Sequence, residues 1–172
     1  MLFDLSKVRT AHEHFEAVYR ADLLAPDEHY IVVEPITLSF DIFKHQEQFQ
    51  LRGRVTTTLE LPCSRCLEPF RWRVDETFDL TYLPQSANTG EGEREIAEDD
   101  FSTAYYQNDE IDLEQLIRER FHMSLPMKPL CSEACKGLCP SCGTNLNRAT
   151  CSCSTAWEDP RFAVLKKLKA ER

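Results

Sequence analysis

The sequence lacks long apolar runs, has few glycines and contains fewer basic than acidic residues. No apolar run approaches the roughly 18 to 20 residues that a membrane-spanning helix needs, so we expect no contact with a membrane. With 5 glycines among 172 residues, the chain has no glycine-rich phosphate loop, and it contains neither HExxH nor GxSxG. The five histidines are scattered. These absences predict that the protein is not an enzyme and has no small-molecule substrate.

The amino-terminal sequence predicts a cytoplasmic protein. Its first ten residues, MLFDLSKVRT, contain three charged side chains and no apolar core of the kind found in signal peptides. Stable disulfides are rare in a reducing compartment, where paired cysteines more often serve metal or redox chemistry. The 8 cysteines therefore favour metal binding.

The net charge of -9 is unevenly distributed along the chain. Residues 84–119 contain 11 acidic and 2 basic side chains, whereas residues 120–172 contain 4 acidic and 9 basic ones. The acidic stretch is typical of a solvated loop, and the alternative is a contact surface for a basic partner such as a ribosomal protein. The basic tail leaves local RNA binding open.

Three runs of alternating apolar residues predict three long antiparallel strands that start near residue 30, each with one face buried. The polar segment 44–48 suits a hairpin turn, and segment 62–69 interrupts the alternation. The three apolar sets are Ile36, Leu38, Phe40 and Ile42; Phe49, Leu51, Val55, Leu59 and Leu61; and Phe70, Trp72, Val74, Phe78, Leu80 and Tyr82.

Helical patterns occur at three places. A helix is predicted to begin at Asp112, whose side chain caps free amide groups with Gln115 reaching back, and to end before Pro126. A second main helix is predicted after Asp159 and Pro160, with a lysine-rich outer face. Residues 12–19 are expected to form a brief helix. The predicted apolar faces of the two main helices are Leu113, Leu116, Ile117 and Phe121, and Phe162, Leu165 and Leu168.

Together these elements predict an α+β fold with a small antiparallel sheet, two main helices and a cysteine-rich, zinc ribbon-like carboxy-terminal segment. Residues 1–130 are assigned to the α+β domain, which includes a mobile acidic loop near 84–108. Residues 131–172 are assigned to the ribbon-like tail and its helix.

The cysteines fall into four close pairs, which suggests two tetrahedral zinc sites. In CPSCG, the proline fixes a turn and the glycine can adopt the left-handed conformation that a metal knuckle needs. This pair is matched with the CSC pair, and the two remaining pairs would form a long-range site. The candidate ligands are Cys63, Cys66, Cys131, Cys135, Cys139, Cys142, Cys151 and Cys153.

Other assignments of the cysteines remain open at this point. One zinc ion bound within residues 131–153, or an iron–sulfur cluster, is compatible with the same spacings. The main alternative function is a redox-responsive zinc-binding protein that acts through its thiols. A thioredoxin-like oxidoreductase is disfavoured because CSRC lies among antiparallel strands and not at a strand-to-helix turn.

Several motifs together resemble the YceD family of large ribosomal RNA accumulation proteins. They are CSRCLEPF, the later LPMKPLCSEACKGLCPSCGTNLN, the CSC that follows, and the ending DPRFAVLKKL. The resemblance covers nearly the whole chain. It implies a non-catalytic role in bacterial ribosome biogenesis, supporting the synthesis, processing or accumulation of 23S ribosomal RNA. The implied partners are 23S ribosomal RNA or its precursor, a large-subunit ribosomal protein, or both.

Because the chain is acidic, any direct RNA contact is expected to be local. The alternation around Trp72 assigns its neighbouring arginines to the solvent face of the strand. The candidate RNA-binding residues are Arg65, Arg71, Arg73, Lys166 and Lys167.

Overall fold

The computed structural model describes residues 1–87 and 101–153, which divide into two compact units. The sheet unit comprises the described residues of Met1–Leu61 and Phe70–Pro129. The cysteine-rich unit comprises Pro62–Pro69 and the described residues from Leu130 onward. The division predicted after residue 130 had placed segment 62–69 with the sheet. In the structure this segment joins the second unit because its two cysteines meet cysteines that follow Leu130.

The sheet unit is mostly β-structure. Short 3-10 helices occur at Leu5–Lys7, Ala21–Leu23 and Gln85–Ala87. The longer elements are β1 (Leu2–Asp4), β2 (His12–Tyr19), β3 (Ile31–Val32), β4 (Ile36–His45), β5 (Gln48–Pro62), β6 (Pro69–Pro84), β7 (Thr103–Tyr106), β8 (Glu110–Asp112) and α1 (Leu113–Ser124).

The strands form two sheets. The larger follows the order β2-β4-β5-β6-β7, with β3 also paired to β5, and the smaller pairs β1 with β8. Strand β4 pairs antiparallel with β5, as the sequence predicts. Strand β2 also pairs antiparallel with β4, and β3 with β5. Strand β7 pairs with β6 in parallel, so the sheet is mixed and the prediction of a small antiparallel sheet is wrong at this edge.

The helix predicted for residues 12–19 is instead strand β2. It pairs along its whole length with β4, from His12 opposite Phe43 to Tyr19 opposite Ile36. Its residues alternate between exposed and half-buried, and Phe15 packs edge-on against Phe3 at 4.8 Å between ring centroids. The period of two therefore describes this segment, and the first long strand begins well before residue 30.

The three apolar sets predicted for the long strands face the core. Every member of the first two sets is buried, and in β6 burial runs from Val74 to Tyr82 while Phe70 and Trp72 are half-buried against the same core. The predicted hairpin turn joins β4 to β5 at Gln46 and Glu47, where Gln46 has a left-handed φ of 59°.

The acidic loop predicted near 84–108 is ordered at its described ends. Residues 88–100 lie outside the described part, whereas Thr103–Tyr106 forms β7. Tyr106 is buried and its hydroxyl donates a hydrogen bond to the Glu47 carbonyl oxygen at 2.9 Å. Side chains that favour strands therefore end the predicted loop before residue 108.

The described residues contain one α-helix, α1. Asp112 caps it by accepting hydrogen bonds from the Glu114 and Gln115 amides, and its predicted apolar face is buried. The Gln115 side chain bonds Glu119 and does not reach back to the cap. The second main helix, predicted after Asp159, falls outside the described residues. No described helix has the length and apolar character needed to cross a membrane.

Candidate metal centres in the cysteine-rich unit

The eight cysteines assemble into two tetrads. The first tetrad consists of Cys63, Cys66, Cys131 and Cys135, and the second of Cys139, Cys142, Cys151 and Cys153. Within each tetrad all four sulfur atoms lie within 4.8 Å of one another. Both groups match the pairing that the sequence favours, and each could hold a metal ion.

The sulfur spacing of the first tetrad fits a tetrahedral ion and excludes disulfides. Four sulfurs at about 2.3 Å from a tetrahedral ion would be about 3.8 Å apart. The sulfurs of Cys63 and Cys135 are 3.8 Å apart, and those of Cys66 and Cys131 are 3.7 Å apart. A disulfide would bring two sulfurs to about 2.05 Å, and all eight cysteines are free.

Each tetrad takes one pair of ligands from a tight turn, which we call the first knuckle (63–68) and the second knuckle (139–144). In the first, the Leu67 amide donates to the Cys63 carbonyl at 2.9 Å, and the Cys63 amide donates to the Glu68 carbonyl at 3.0 Å. The second has the same two bonds, from Gly143 to Cys139 at 2.9 Å and from Cys139 to Thr144 at 2.8 Å. The two knuckles therefore share one backbone design.

The knuckles differ at the residue that follows the second cysteine. Leu67 and Gly143 both have left-handed φ angles, of 61° and 73°. Glycine adopts this conformation freely, whereas other residues lose about 1–2 kcal/mol there. Leucine thus occupies a position that the backbone suits to glycine.

Gly137 and Arg65 fix the chain around the first knuckle. The Arg65 guanidinium donates to the carbonyl oxygens of Glu133 and Cys135 at 3.1 and 2.8 Å, and the Leu138 amide donates to the Arg65 carbonyl at 3.2 Å. Gly137 has a φ of 74°, and a Cβ there would lie 3.0 Å from that same carbonyl oxygen. This position requires glycine for both conformation and space.

Asn147 supports the first tetrad from outside. Its side-chain amide donates to the Cys135 sulfur at 3.2 Å, and its side-chain oxygen accepts a bond from the Lys136 amide at 2.8 Å. Hydrogen bonds of this kind orient metal ligands and favour their charged form. The bond from Asn147 is also the main cause that holds the pKa of the Cys135 thiol below its usual range.

The pKa values of Cys63 in the first tetrad and Cys142 in the second are lowered to about 6. Burial opposes ionisation of Cys63, but the backbone amides of Cys131, Cys66 and Arg65 lower its pKa to about 6. In the second tetrad, hydrogen bonds from the Thr144 hydroxyl and amide, together with the neighbouring thiols, lower the pKa of Cys142 to about 6. Both sulfurs are therefore largely thiolate at neutral pH.

Other thiols of the tetrads hold their protons. Desolvation and the nearby sulfurs raise the pKa of Cys131 to about 12. The Cys142 sulfur and desolvation raise the pKa of Cys153 to about 12. Four adjacent sulfurs cannot all carry negative charge without a counter-ion, so a cation that binds here must displace protons.

The candidate RNA-binding arginines occupy two settings. Arg65 lies in the first knuckle, where its guanidinium serves the two carbonyl oxygens described above. Arg71 and Arg73 are exposed on β6, as the alternation predicts, and Arg71 forms an ion pair with Glu34 at 3.5 Å. Arg73 lies close enough to Asp75 to help lower the pKa of that carboxyl group, after its hydrogen bond with Arg54. Lys166 and Lys167 lie outside the described residues.

The sequence reasoning did not identify the supporting residues of the tetrads. Asn147, Thr144 and the left-handed Leu67 emerge only from the folded backbone. One signal was available, since Leu67 follows CSRC at the place where Gly143 follows CPSC.

Comparison with known proteins gives one family. Residues 51–169 match the model of the family described as large ribosomal RNA subunit accumulation protein YceD. The chain is 27% identical over 158 residues to YCED homolog 1, chloroplastic, of Arabidopsis thaliana, covering 80% of this chain and 49% of that protein. The Zea mays protein of the same name is 28% identical over 142 residues, covering 69% and 48%.

An uncharacterized protein of Mycobacterium tuberculosis is 38% identical over 97 residues, covering 54% of this chain and 44% of that protein. The chain spans about half the length of the curated relatives that it matches. No solved structure matches it. The family match covers more than two-thirds of the chain and includes all eight cysteines. The chain therefore belongs to the YceD family of large ribosomal RNA subunit accumulation proteins.

Proposed function

We propose that this protein supports the accumulation of 23S ribosomal RNA without catalysing a reaction, by binding a precursor of the large ribosomal subunit. The observation that carries the proposal is the family match over residues 51–169. It includes β5 and β6 and every ligand of the two tetrads, so the region shared with the family contains both candidate metal centres.

We further propose that each tetrad holds one zinc ion with a structural role. Four thiolates in a tetrahedron are the common ligand set of closed structural zinc sites. The sulfur spacing of 3.7 to 3.8 Å in the first tetrad and the Asn147 bond to Cys135 support this assignment. Bound zinc would supply positive charge that allows all four thiols to ionise. No ligand position is left for a substrate.

Elemental analysis of the purified full chain tests the zinc assignment. We expect two zinc ions per chain. Replacing Cys139 by serine should remove one ion and leave the first tetrad loaded, and Cys135→Ser should do the reverse. An unchanged zinc content in both variants would contradict the tetrads, and iron in place of zinc would contradict the metal.

Charge pairing on the sheet favours a protein contact over a broad grip on phosphates. Arg52 pairs with Asp79 at 2.9 Å, Arg54 pairs with Asp75, and Arg71 pairs with Glu34. Arginines that already face carboxylates neutralise few RNA phosphates. A broad RNA contact across these arginines is therefore disfavoured, and we propose a ribosomal protein as the direct partner with RNA contact limited to local sites.

The function is tested by crosslinking the tagged full chain in cells of its source organism and sequencing the recovered RNA beside the recovered proteins. We expect enrichment of precursor over mature 23S ribosomal RNA, and a lowered ratio of 23S to 16S ribosomal RNA when the gene is deleted. An otherwise identical tagged chain with Cys135→Ser and Cys139→Ser provides the control. Equal recovery of precursor and mature RNA, or an unaltered ratio after deletion, would overturn the proposal.

A redox-responsive role is the second candidate, because Cys131 and Cys142 are exposed within their tetrads. One hydrogen peroxide molecule would take two electrons from two zinc-bound thiolates, which join in one disulfide and release zinc, while two protons from solvent complete two water molecules. Mild peroxide should then eject zinc, and thiol reductant should restore binding. Retention of zinc under peroxide by the folded protein would exclude this role.

A further inference from the structure

The first knuckle presents a leucine where its twin presents glycine. The two turns have matching hydrogen bonds and left-handed φ angles, so glycine would satisfy the backbone at residue 67 as it does at residue 143. A Cβ at Gly143 would meet no atom within 4 Å, which shows that such a position in this turn design can point into open space.

The Leu67 side chain makes no core contact that would offset the cost of its left-handed backbone conformation. It is 66% exposed and does not belong to the hydrophobic core or to the residues packed against it. A strained residue that the fold does not need points to a role outside the fold. An exposed leucine offers apolar surface, so the role we infer is contact with another molecule.

The charge around Leu67 indicates what kind of surface it contacts. Eight thiolates outweigh two divalent ions by four charges, while the described part of the unit has three basic and two acidic side chains. With zinc bound, these residues therefore have a net charge of about -3, and the whole unit has about -1 once the five basic and three acidic side chains of residues 154–172 are added. Two of the three basic side chains in the described residues already have partners. Arg65 donates hydrogen bonds to backbone carbonyl oxygens, and Arg148 forms an ion pair with Glu68 at 2.7 Å. Such a surface repels phosphate and attracts basic protein.

We propose that Leu67 is the apolar anchor by which the zinc-loaded first knuckle docks on a basic protein of the large ribosomal subunit. The inference rests on the proposed function and names the partner class and the contact. The leucine enters an apolar recess of the partner, and the negative charge of the tetrads complements basic side chains around that recess.

The test uses the zinc-loaded full chain and two probes. The first probe is the set of proteins that high salt extracts from purified large subunits, and the second is protein-free 23S ribosomal RNA. A photo-crosslinking amino acid in place of Leu67 should label a basic protein of the first probe. The affinity for that protein, once purified, should weaken at least tenfold in the variants Leu67→Gly and Leu67→Asn. Asparagine is chosen because, like glycine, it tolerates the left-handed backbone conformation. Both variants should keep two zinc ions. Met127→Asn, which changes a fully exposed apolar residue of the sheet unit, should bind like the original chain.

Any of four results would overturn the inference. Crosslinking to the RNA probe would make the knuckle a nucleic-acid contact, and loss of zinc in both variants would make Leu67 structural. Unchanged binding by both variants would remove the anchor while leaving the proposed function intact, provided that the original chain still recovers precursor particles from cells. If the original chain recovers no precursor and binds neither probe, the proposed function and the inference fall together.

Discussion

The sheet unit buries 23 apolar side chains in one core, whereas the buried side chains in the described part of the cysteine-rich unit are those of Cys63, Cys66, Cys135 and Cys139. The first unit can draw its stability from the hydrophobic effect. The second has almost no apolar interior, so its stability must come from metal ligands and the hydrogen bonds around them. Units with such different interiors should respond to different perturbations.

Removing the metal should give the largest difference between the two units, because it should unfold the cysteine-rich unit and leave the sheet unit folded. Structural zinc contributes about 10–16 kcal/mol in zinc-finger peptides, which exceeds what a unit without an apolar core can replace. A strong chelator is expected to collapse the amide resonances of residues 62–69 and 130–153 into the random-coil range. Resonances of β4 and α1 should keep their dispersion. Nuclear magnetic resonance spectra before and after chelation provide the measurement, and a simultaneous loss of both sets would show that the units are not separable.

A cavity in the apolar core should have the opposite effect and destabilise the sheet unit. Phe121 of α1 is 0% exposed, and Phe→Ala at such sites lowers the free energy of unfolding by about 3–5 kcal/mol. Urea denaturation of Phe121→Ala followed by circular dichroism measures this loss. Met123→Ala, on the same helix at a side chain that is 73% exposed, is the matched control. Equal losses in the two variants would argue against this core.

Acid should weaken the cysteine-rich unit through its metal. Cys131 and Cys153 have pKa values raised to about 12, and those of Cys66 and Cys151 are also raised, by desolvation and neighbouring thiols against opposing backbone amides. At neutral pH, metal binding must therefore release at least two protons per tetrad, and affinity should increase roughly a hundredfold per pH unit.

Below pH 6 the thiols of Cys63 and Cys142 also become protonated, so the loss of affinity should steepen. Titration with a competing chelator between pH 5.5 and 8 gives this slope. A zinc affinity that does not vary with pH would show that the thiols are already ionised in the metal-free protein.

The smallest effect compares two glycines of the cysteine-rich unit. Replacing Gly137 or Gly143 by alanine should lower the free energy of unfolding of this unit by about 1–2 kcal/mol, because both positions have left-handed φ angles. Gly137→Ala should lose about 1–3 kcal/mol more, since its Cβ would crowd the Arg65 carbonyl oxygen. Chelator concentrations at half-release of zinc rank the two variants. Equal midpoints would mean that the first knuckle yields to the added methyl group.

Sequence patterns predicted the long strands and the cysteine groups because each has a strong local period or spacing. The alternation of β4 and β5 and the cap at Asp112 are readable from neighbours alone. Strand β2 was misassigned as a helix because its half-exposed residues dilute the apolar alternation. The parallel pairing of β7 with β6 depends on a long-range contact that no local pattern encodes.

The same limit applies to the metal centres. Spacing indicated which cysteines pair within a few residues, but the joining of the first knuckle to Cys131 and Cys135 is a matter of tertiary structure. The roles of Asn147 and Arg65 depend on hydrogen bonds to a sulfur and to carbonyl oxygens, whose positions only the folded chain defines.

The spacing of the ligands along the chain imposes an order of assembly during synthesis. Cys66 and Cys131 are 65 residues apart, so the first tetrad closes only after the intervening strands and helix have left the ribosome. The second tetrad draws its ligands from residues 139–153 and closes a short loop, which is entropically less demanding. A nascent chain can therefore expose the first knuckle, unloaded, for the whole time that β6, β7 and α1 are being made. Metal capture at this position then follows the synthesis of β6, β7 and α1 and cannot precede it.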